Sequence, residues 1–316
     1  MSMSIHHAAS EIHQKCFLRE WSMENKSKWE LLDMDCLVSI FEKVGMDDLL
    51  LSLPFVCKSW YRASLQPYCW KVLDIQHLQS MGILFTNRFV STYRIKWFSS
   101  MGLVKLLVKL GHGSSVKVIL PDEFAYEELV YISDKCPALK FLSLPAACIL
   151  KDIADSIPSL VHKWRNLEHL HLDYIQLGFP LSKIVEEIGR HCKNFIGISV
   201  NAGIIDDEAV SAIVTWLPKL RTLDVRGTTF FGIMDMGFTL SKKNLLKILG
   251  GCKELDFLAV RECSQLKIDN EILKKASHIK NFKYEILDHS SDFGWGPNYD
   301  YDDYCDYWLE YYAEAM

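Results

Sequence analysis

The sequence contains none of the short motifs that mark common catalytic sites. There is no phosphate-binding loop G-x-x-x-x-G-K-[ST], no nucleophile elbow G-x-S-x-G and no zinc-protease pair H-E-x-x-H. The ten cysteines include no C-x-x-C pair, so neither a zinc module nor a disulfide framework is indicated. We therefore expect a non-catalytic protein without a metal or a cofactor.

Long apolar runs and targeting signals are missing as well. No window approaches eighteen uninterrupted apolar residues, about the length that spans a bilayer. The N-terminal residues lack the apolar core of a signal peptide, and position 2 is not the glycine that myristoylation requires. Lys and Arg form no stripe interleaved with aromatic residues. We expect a protein of the cytoplasm, the nucleus or both, with no membrane or nucleic-acid partner.

Positive charge is absent from the C-terminal end of the chain. From Glu285 onward there are nine acidic residues and no Lys or Arg. Segment 289–316 is also rich in Tyr and Trp. Self-repelling charge favours disorder, whereas the aromatic residues favour a short helix that caps the preceding structure. A regulatory role is a third hypothesis.

Residues 29–70, in contrast, carry abundant apolar side chains. Their spacing predicts three short helices. Asp47 and Asp48 supply the cap and the first-turn negative charge of the second helix. Pro54, which has no amide hydrogen to donate, separates the second helix from the third. The apolar residues of the three helices are Cys36, Leu37, Ile40, Phe41 and Val44, then Leu49, Leu50, Leu51 and Leu53, then Val56, Cys57, Trp60 and Tyr61.

The second helix carries more leucine than one face can bury. Leu49, Leu50 and Leu51 are spaced about 100° apart around the helix axis, so we expect part of this surface to contact a partner. A segment of about forty residues also rarely folds alone without disulfides or a metal. The alternative for Val44, Trp60 and Trp70 is a place in the core of the helical segment.

This segment resembles the F-box, whose usual pattern is Leu-Pro-x-Asp-Leu-Leu, Ile-Phe, Asp-Leu-Leu, Val-Cys-Lys-x-Trp and a closing Trp. Asp33 stands where the family usually has proline. The matching residues are Leu32, Asp35, Leu37, Ile40, Phe41, Asp48, Leu49, Leu50, Val56, Cys57, Lys58, Trp60 and Trp70. The resemblance implies docking into an apolar groove on the Skp-type adaptor of a cullin-RING ubiquitin ligase. The implied adaptor-binding residues are Leu32, Leu37, Ile40, Phe41, Leu49, Leu50, Val56, Cys57 and Trp60.

The rest of the chain repeats the pattern L-x-x-L-x-L at intervals near 24–28 residues, with one longer interval of 35. This pattern is the strand signature of leucine-rich repeats. The copies start at Ser115, Leu139, Leu167, Phe195, Leu220, Leu255 and Ile279. Helical patterns lie between them, with Asp206 and Ser241 as predicted N-caps. One strand and one helix per repeat predict an α/β solenoid with parallel inner strands and outer helices.

The repeats resemble the cysteine-containing leucine-rich repeats of F-box proteins, particularly those of plants. In that family a cysteine closes the helix before the strand, and Cys136, Cys192 and Cys252 occupy this position here. The predicted organisation is an N-terminal arm (1–28), the F-box (29–70), a rigid junction (71–101), about seven repeats (102–288) and the acidic aromatic tail (289–316). Residues 70–76 (WKVLDIQ) are a candidate short strand.

Residues that alternate with the buried leucines are expected on the inner face of the repeats, where a client protein would bind. His169, His171 and Asp173 also have a spacing that could hold a divalent metal, but a fourth ligand is not evident. The predicted client-binding residues are Phe141, Ser143, His169, His171, Asp173, Ser199, Asn201, Thr222, Asp224, Arg226, Phe257 and Arg261, with Gly197 on the same face. The long interval inserts a loop that contacts a client or packs locally, with Phe230, Phe231, Ile233, Met234, Met236 and Phe238.

Together these features predict the substrate-recognition subunit of an SCF-type ubiquitin ligase. Its partners would be a Skp-type adaptor, through it a cullin, and an unknown client. The first alternative is a repeat scaffold that acts outside a ligase, which Asp33 in place of proline keeps open. The second is a receptor in which a small molecule completes the client surface.

Overall fold

The computed structural model describes residues 28–146, 151–175, 178–226, 240–261, 263 and 266–284. The predictions for the N-terminal arm before residue 28, for the apolar loop at 230–238 and for the tail at 289–316 lie outside these residues. Within the described part, no helix is long and apolar enough to cross a membrane.

Short helices alternate with single strands along most of the described chain. The α-helices are α1 (Met34–Phe41), α2 (Met46–Leu51), α3 (Lys58–Ser64), α4 (Ile75–Ser80), α5 (Gly82–Tyr93), α6 (Ser100–Gly111), α7 (Tyr126–Lys135), α8 (Lys151–Ala154), α9 (Ile157–Leu160), α10 (Leu181–His191), α11 (Asp207–Trp216), α12 (Lys242–Gly251) and α13 (Asn270–Ala276). Single 3-10 turns lie at Lys28–Leu31, Leu53–Phe55, Pro67–Trp70 and Val161–Lys163.

Among the described residues, eight strands form one parallel sheet in which spatial order equals chain order. Each strand pairs with the next along the chain, and a helical segment connects them, which is the arrangement of a solenoid. The predicted α/β fold is therefore confirmed. The strands are β1 (Val72–Asp74), β2 (Lys117–Ile119), β3 (Phe141–Leu144), β4 (His169–Ile175), β5 (Gly197–Gly203), β6 (Thr222–Arg226), β7 (Phe257–Arg261) and β8 (Asn281–Tyr284).

The strand register reproduces the repeat pattern of the sequence. The second apolar residue of each L-x-x-L-x-L motif lies beside its equivalent on the next strand, so that a single row of apolar side chains crosses the sheet. This row faces the helices and lies in the core. Its members are Val118, Leu142, Leu170, Ile198, Leu223, Leu258 and Phe282.

Both predicted N-caps are confirmed. The Asp206 carboxylate accepts a hydrogen bond from the Ala209 amide at 2.8 Å, and the Ser241 hydroxyl accepts one from the Asn244 amide at 3.2 Å. These bonds satisfy amides that a helix N-terminus otherwise leaves unpaired. The prediction of a cap from Asp47 or Asp48 is wrong, because α2 begins at Met46 and both aspartates lie inside its first turn.

Two of the repeat cysteines, Cys192 and Cys252, form hydrogen bonds to the preceding repeat. Cys136, Cys192 and Cys252 are the C-caps of α7, α10 and α12, as the resemblance implies. The Cys192 thiol donates to the Trp164 carbonyl at 3.1 Å, at the end of the preceding helical segment. Burial raises the pKa of Cys192 to about 12, which keeps the thiol protonated. All three cysteines are therefore buried packing residues, and Cys192 and Cys252 are hydrogen-bond donors as well.

The sheet begins inside the segment that the sequence analysis treated as a junction. Within the candidate strand at 70–76, Val72–Asp74 form β1, which pairs with β2, while Trp70 ends a 3-10 turn and Ile75 begins α4. The Trp70 side chain is fully buried and donates from its indole to the Ser64 carbonyl at 2.7 Å, while its own carbonyl accepts from the Ser115 hydroxyl at 2.9 Å. The N-terminal helices therefore join the repeats through shared core, with no linker between them.

Candidate functional site

The three N-terminal helices divide their apolar residues between a core and a solvent-facing surface. On α1, Leu37 and Phe41 are buried one turn apart, whereas Ile40 points outward with 38% of its surface exposed. Phe41 packs edge-on against Trp60 of α3, with ring centroids 5.3 Å apart. Of the predicted adaptor-binding residues on α1, only Ile40 is thus exposed on this surface.

The expectation that part of the leucine surface of α2 stays free for a partner is wrong for this chain. Leu49, Leu50 and Leu51 are all buried in this chain. They fit because α2 packs on two sides, against the 3-10 turn Leu53–Phe55 and against α5. The Tyr93 hydroxyl at the end of α5 donates to the Leu50 carbonyl at 2.8 Å and fixes this contact. The α5 helix therefore covers the side of α2 that the F-box helices leave open.

Other apolar residues of the N-terminal helices are not buried and form part of the protein surface. Val56, just before α3, is 41% exposed, while Leu32, Cys57 and Trp60 are half-buried. The Trp60 indole donates to the Trp29 carbonyl at 3.4 Å, which ties the first turn to α3. We use the term outer surface for the exposed and half-buried apolar residues Trp29, Leu31, Leu32, Ile40, Val56, Cys57 and Trp60.

Asp33 preserves the backbone that a proline would adopt. It is the N-cap residue of α1 with φ −60° and ψ 151°, and proline fixes φ near −65°. Its side chain is exposed and makes no capping hydrogen bond. The departure from the usual proline therefore leaves the entry into α1 unchanged.

The second candidate site is the inner face, the side of the sheet opposite the helices. Alternate residues of the strands form rows across it, as predicted. One row contains Lys117, Phe141, His169, Gly197, Thr222, Phe257 and Asn281. The next contains Ile119, Ser143, His171, Ser199, Asp224, Ala259 and Lys283. The third, at the carboxyl ends of the strands, contains Asp173, Asn201, Arg226 and Arg261.

The inner face is less open than the sequence analysis expected of a recognition wall. Eight of the twelve predicted client-binding residues are buried, namely Phe141, Ser143, His169, His171, Ser199, Thr222, Asp224 and Phe257. The third row stays half-buried. Within it the Asn201 amide donates to the Asp173 carboxylate at 2.8 Å. The third row is thus the accessible part of the predicted surface.

Comparison with known proteins agrees with both parts of this architecture. Residues 29–72 match the family described as F-box domain. The chain is 26% identical over 289 residues to an F-box/LRR-repeat protein of Arabidopsis thaliana, which covers 86% of this chain and 88% of the relative. The chain thus contains an F-box domain and is similar along most of its length to an F-box/leucine-rich-repeat protein. It is also 26% identical over 254 residues to the Arabidopsis F-box protein FBW2 (78% of this chain, 72% of the relative). It is 25% identical over 252 residues to F-box protein SKIP19 of the same plant (79% and 74%).

Two buried histidines lie at the centre of the repeat sheet of this F-box protein. A side chain at Gly197 would overlap the His169 ring, with its Cβ 1.9 Å from Nδ1, so glycine makes room for the imidazole. Burial lowers the pKa of His169 to about 4. Burial likewise lowers the pKa of His171 to about 4, with Lys117 acting in the same direction and Asp173 opposing it. Both rings are therefore neutral at pH 7.

The metal hypothesis for His169, His171 and Asp173 gains no support from this geometry. Within the described ranges, no group of three His, Cys, Asp or Glu side chains is placed to hold a metal ion. The buried, neutral imidazole rings of His169 and His171 are instead part of the packing of the sheet.

The two histidines predict a pH-dependent stability of the repeats. Their pKa values lie near 6.5 in the unfolded chain and about 4 in the fold, so the unfolded state binds more protons between these limits. Stability is therefore lost as pH falls from 6.5 towards 4. We expect the free energy of unfolding to fall by up to about 2 kcal/mol per histidine between pH 7 and pH 5. Urea unfolding at the two pH values measures the difference.

The matched variants for this experiment are His169→Gln with His171→Gln, and His278→Gln. The double variant should lose most of the pH dependence, whereas the change at His278, which is exposed, should leave it intact. An unaltered pH dependence in the double variant would show that other groups cause it.

Proposed function

We propose that this protein is the substrate-recognition subunit of an SCF-type cullin-RING ubiquitin ligase. In this proposal the F-box binds a Skp-type adaptor, and through it a cullin, while the repeats hold a protein client. The protein itself is non-catalytic. Its contribution is to keep the client close to the conjugating enzyme, which raises the effective concentration of the reacting groups. We place the complex in the cytoplasm, the nucleus or both.

The observation that carries the proposal is the outer surface of the F-box. Ile40 and Val56 are exposed aliphatic side chains on a segment that buries Leu37, Phe41, Leu49 and Leu50 in its own core. F-box domains bind Skp-type adaptors, and helix packing into an apolar groove is a common recognition mode. Burying each such side chain contributes about 1.5–3 kcal/mol of gross driving force.

The solvent exposure of each F-box residue indicates whether it can touch the adaptor. We propose that Ile40 and Val56, with the half-buried Leu32, Cys57 and Trp60, contact the adaptor directly. Leu37, Phe41, Leu49 and Leu50, which the resemblance also implied, would support these contacts from the core.

Co-expression with a Skp-type adaptor tests the proposal. We expect the two chains to co-elute as a stable complex in size-exclusion chromatography. If the F-box protein is folded but elutes alone, the ligase proposal fails and the chain is better treated as a repeat scaffold acting outside a ligase.

A further inference from the structure

Acidic residues are absent from a long internal part of the chain. No Asp or Glu occurs between Asp74 and Asp122, whereas Arg88, Arg94, Lys96 and three further lysines do. This part contains α4, α5, α6 and β2. Protein surfaces usually mix both signs of charge, and a field of a single sign is typical of a surface that attracts a charged partner. The segment therefore favours an anionic partner.

Three of these cations have no partner within the described part of the fold. The side chains of Arg88, Arg94 and Lys96 are exposed, and among the described residues they form no ion pair and no hydrogen bond. Arg88 lies on α5, and the other two follow its C-terminal end. An exposed cation without a carboxylate beside it keeps its full charge for a partner. We use the term basic surface for these three residues together with Trp97.

The carboxylates of the neighbouring helix lie away from this end of α5. The helix α2 packs against α5, and its acidic residues Asp47 and Asp48 belong to its first turn. The C-terminal end of α5 meets the opposite end of α2, where the Tyr93 hydroxyl donates to the Leu50 carbonyl at 2.8 Å. The acidic turn of α2 is therefore not at the position where the basic surface begins.

The basic surface adjoins the outer surface of the F-box. The Tyr93 ring packs against the Phe55 ring, with centroids 6.2 Å apart. Phe55 directly precedes Val56, which is exposed on the outer surface. Arg94 directly follows Tyr93 and ends α5 in the left-handed conformation, with φ 51°. A partner that covers Val56 is therefore close to the cations that follow α5.

An exposed aromatic residue lies among these cations. Trp97 follows Lys96 in the sequence and is 71% exposed. The next residue, Phe98, packs edge-on against Phe89 of α5 with ring centroids 5.9 Å apart, so the segment is held against the helix. Trp and Arg are enriched where a protein surface contacts another protein. The combination of Trp97 with the cations favours a protein partner with an acidic surface.

We propose that the basic surface is a second contact site for the Skp-type adaptor and meets an acidic segment beside the apolar groove of that adaptor. Opposite charges on two proteins steer them together before contact, so the basic surface acts mainly on the rate of association. The inference rests on the proposed function, because it adds a charged contact to the apolar docking of the F-box.

Biolayer interferometry with the full-length protein and an immobilised Skp-type adaptor tests this inference. The association rate constant of the wild type should fall as salt rises from about 25 mM to about 300 mM. In the variant with Arg88→Gln, Arg94→Gln and Lys96→Gln, the rate constant at low salt should be about tenfold lower, and the dissociation rate constant should change by less than about twofold. Because the three side chains are exposed, the variant should unfold at the same temperature as the wild type.

The matched control carries Arg165→Gln, Lys183→Gln and Lys219→Gln. It removes the same number of charges from exposed positions of the repeats. Its association rate constant should equal that of the wild type, because steering depends on charge near the contact. An equal fall in both variants would show an effect of net charge alone and would overturn the inference.

The kinetic result also separates this inference from the proposed function. If the wild type binds the adaptor and the variant of the basic surface binds at the same rate, the inference fails while the proposed function stands. Absence of any complex with the wild type overturns both.

Discussion

Replacement of Ile40 by aspartate is expected to reduce adaptor affinity by at least about 100-fold while the protein stays folded. Ile40 is 38% exposed on α1, so the free chain tolerates a charge there. In the proposed complex the same position is buried against an apolar groove. The variant would lose about 1.5–3 kcal/mol of apolar burial and would also bury an unpaired carboxylate, and 1.4 kcal/mol corresponds to a tenfold change. Co-elution of variant and adaptor measures the loss.

Two further variants make the result specific. Ile83→Asp places the same charge on α5, where the side chain is 73% exposed, and should leave co-elution intact. Leu37→Ala removes a fully buried side chain and should lower the free energy of unfolding by about 2–5 kcal/mol. Comparison with this variant shows how a loss of co-elution caused by unfolding differs from the loss expected for the folded Ile40→Asp variant. If Ile40→Asp co-elutes like the wild type, α1 is not part of the adaptor interface.

The second large effect is expected at Trp70, where the F-box joins the repeats. Trp70→Ala should lower the free energy of unfolding by about 3–5 kcal/mol, because it removes a large buried side chain and the hydrogen bond to the Ser64 carbonyl. The backbone of Trp70 also accepts from Ser115, next to β2, so the damage should reach the first strands of the sheet. Denaturant unfolding followed by tryptophan fluorescence and by circular dichroism measures the change.

Trp97→Ala is the matched control, because this side chain is 71% exposed and its removal should change stability by less than about 0.5 kcal/mol. The two spectroscopic probes should report one transition in the wild type and a shifted common transition in the Trp70 variant. If an F-box transition moves while the repeats unfold as before, the two parts are independent domains and the shared core at Trp70 is not essential.

Shared core also explains why the F-box needs no disulfide or metal. The Met46 sulfur accepts from the Asp74 amide at 3.0 Å, and the Tyr93 hydroxyl bonds to the Leu50 carbonyl. Both contacts link the F-box helices to residues of the next segment. The aromatic density of residues 88–98 was the sequence signal for this role, and it was interpreted only as a rigid junction.

The repeat sheet could be derived almost entirely from the sequence. Each L-x-x-L-x-L motif enters a strand at its third residue, and the register of β2–β8 aligns the same motif position in every repeat. The reason is local, because the side-chain period of a strand is two and a repeat must bury the same face against its neighbours. The caps at Asp206 and Ser241 were predictable for the same reason, since they depend on hydrogen bonds three residues away.

Exposure, in contrast, was decided by tertiary structure. The sequence marked Ile40, Leu49 and Leu50 alike as apolar, but only Ile40 remains at the surface, because α5 returns to cover α2. Similarly, the sequence pattern placed His169 and His171 on the inner face. It did not predict that both side chains are buried and neutral at pH 7. Periodicity tells which face of an element a residue occupies, whereas its solvent exposure depends on distant segments that pack there. The sequence by itself thus determined the F-box segment, the repeat and its register, and only the packing between distant segments determined which residues can meet a partner.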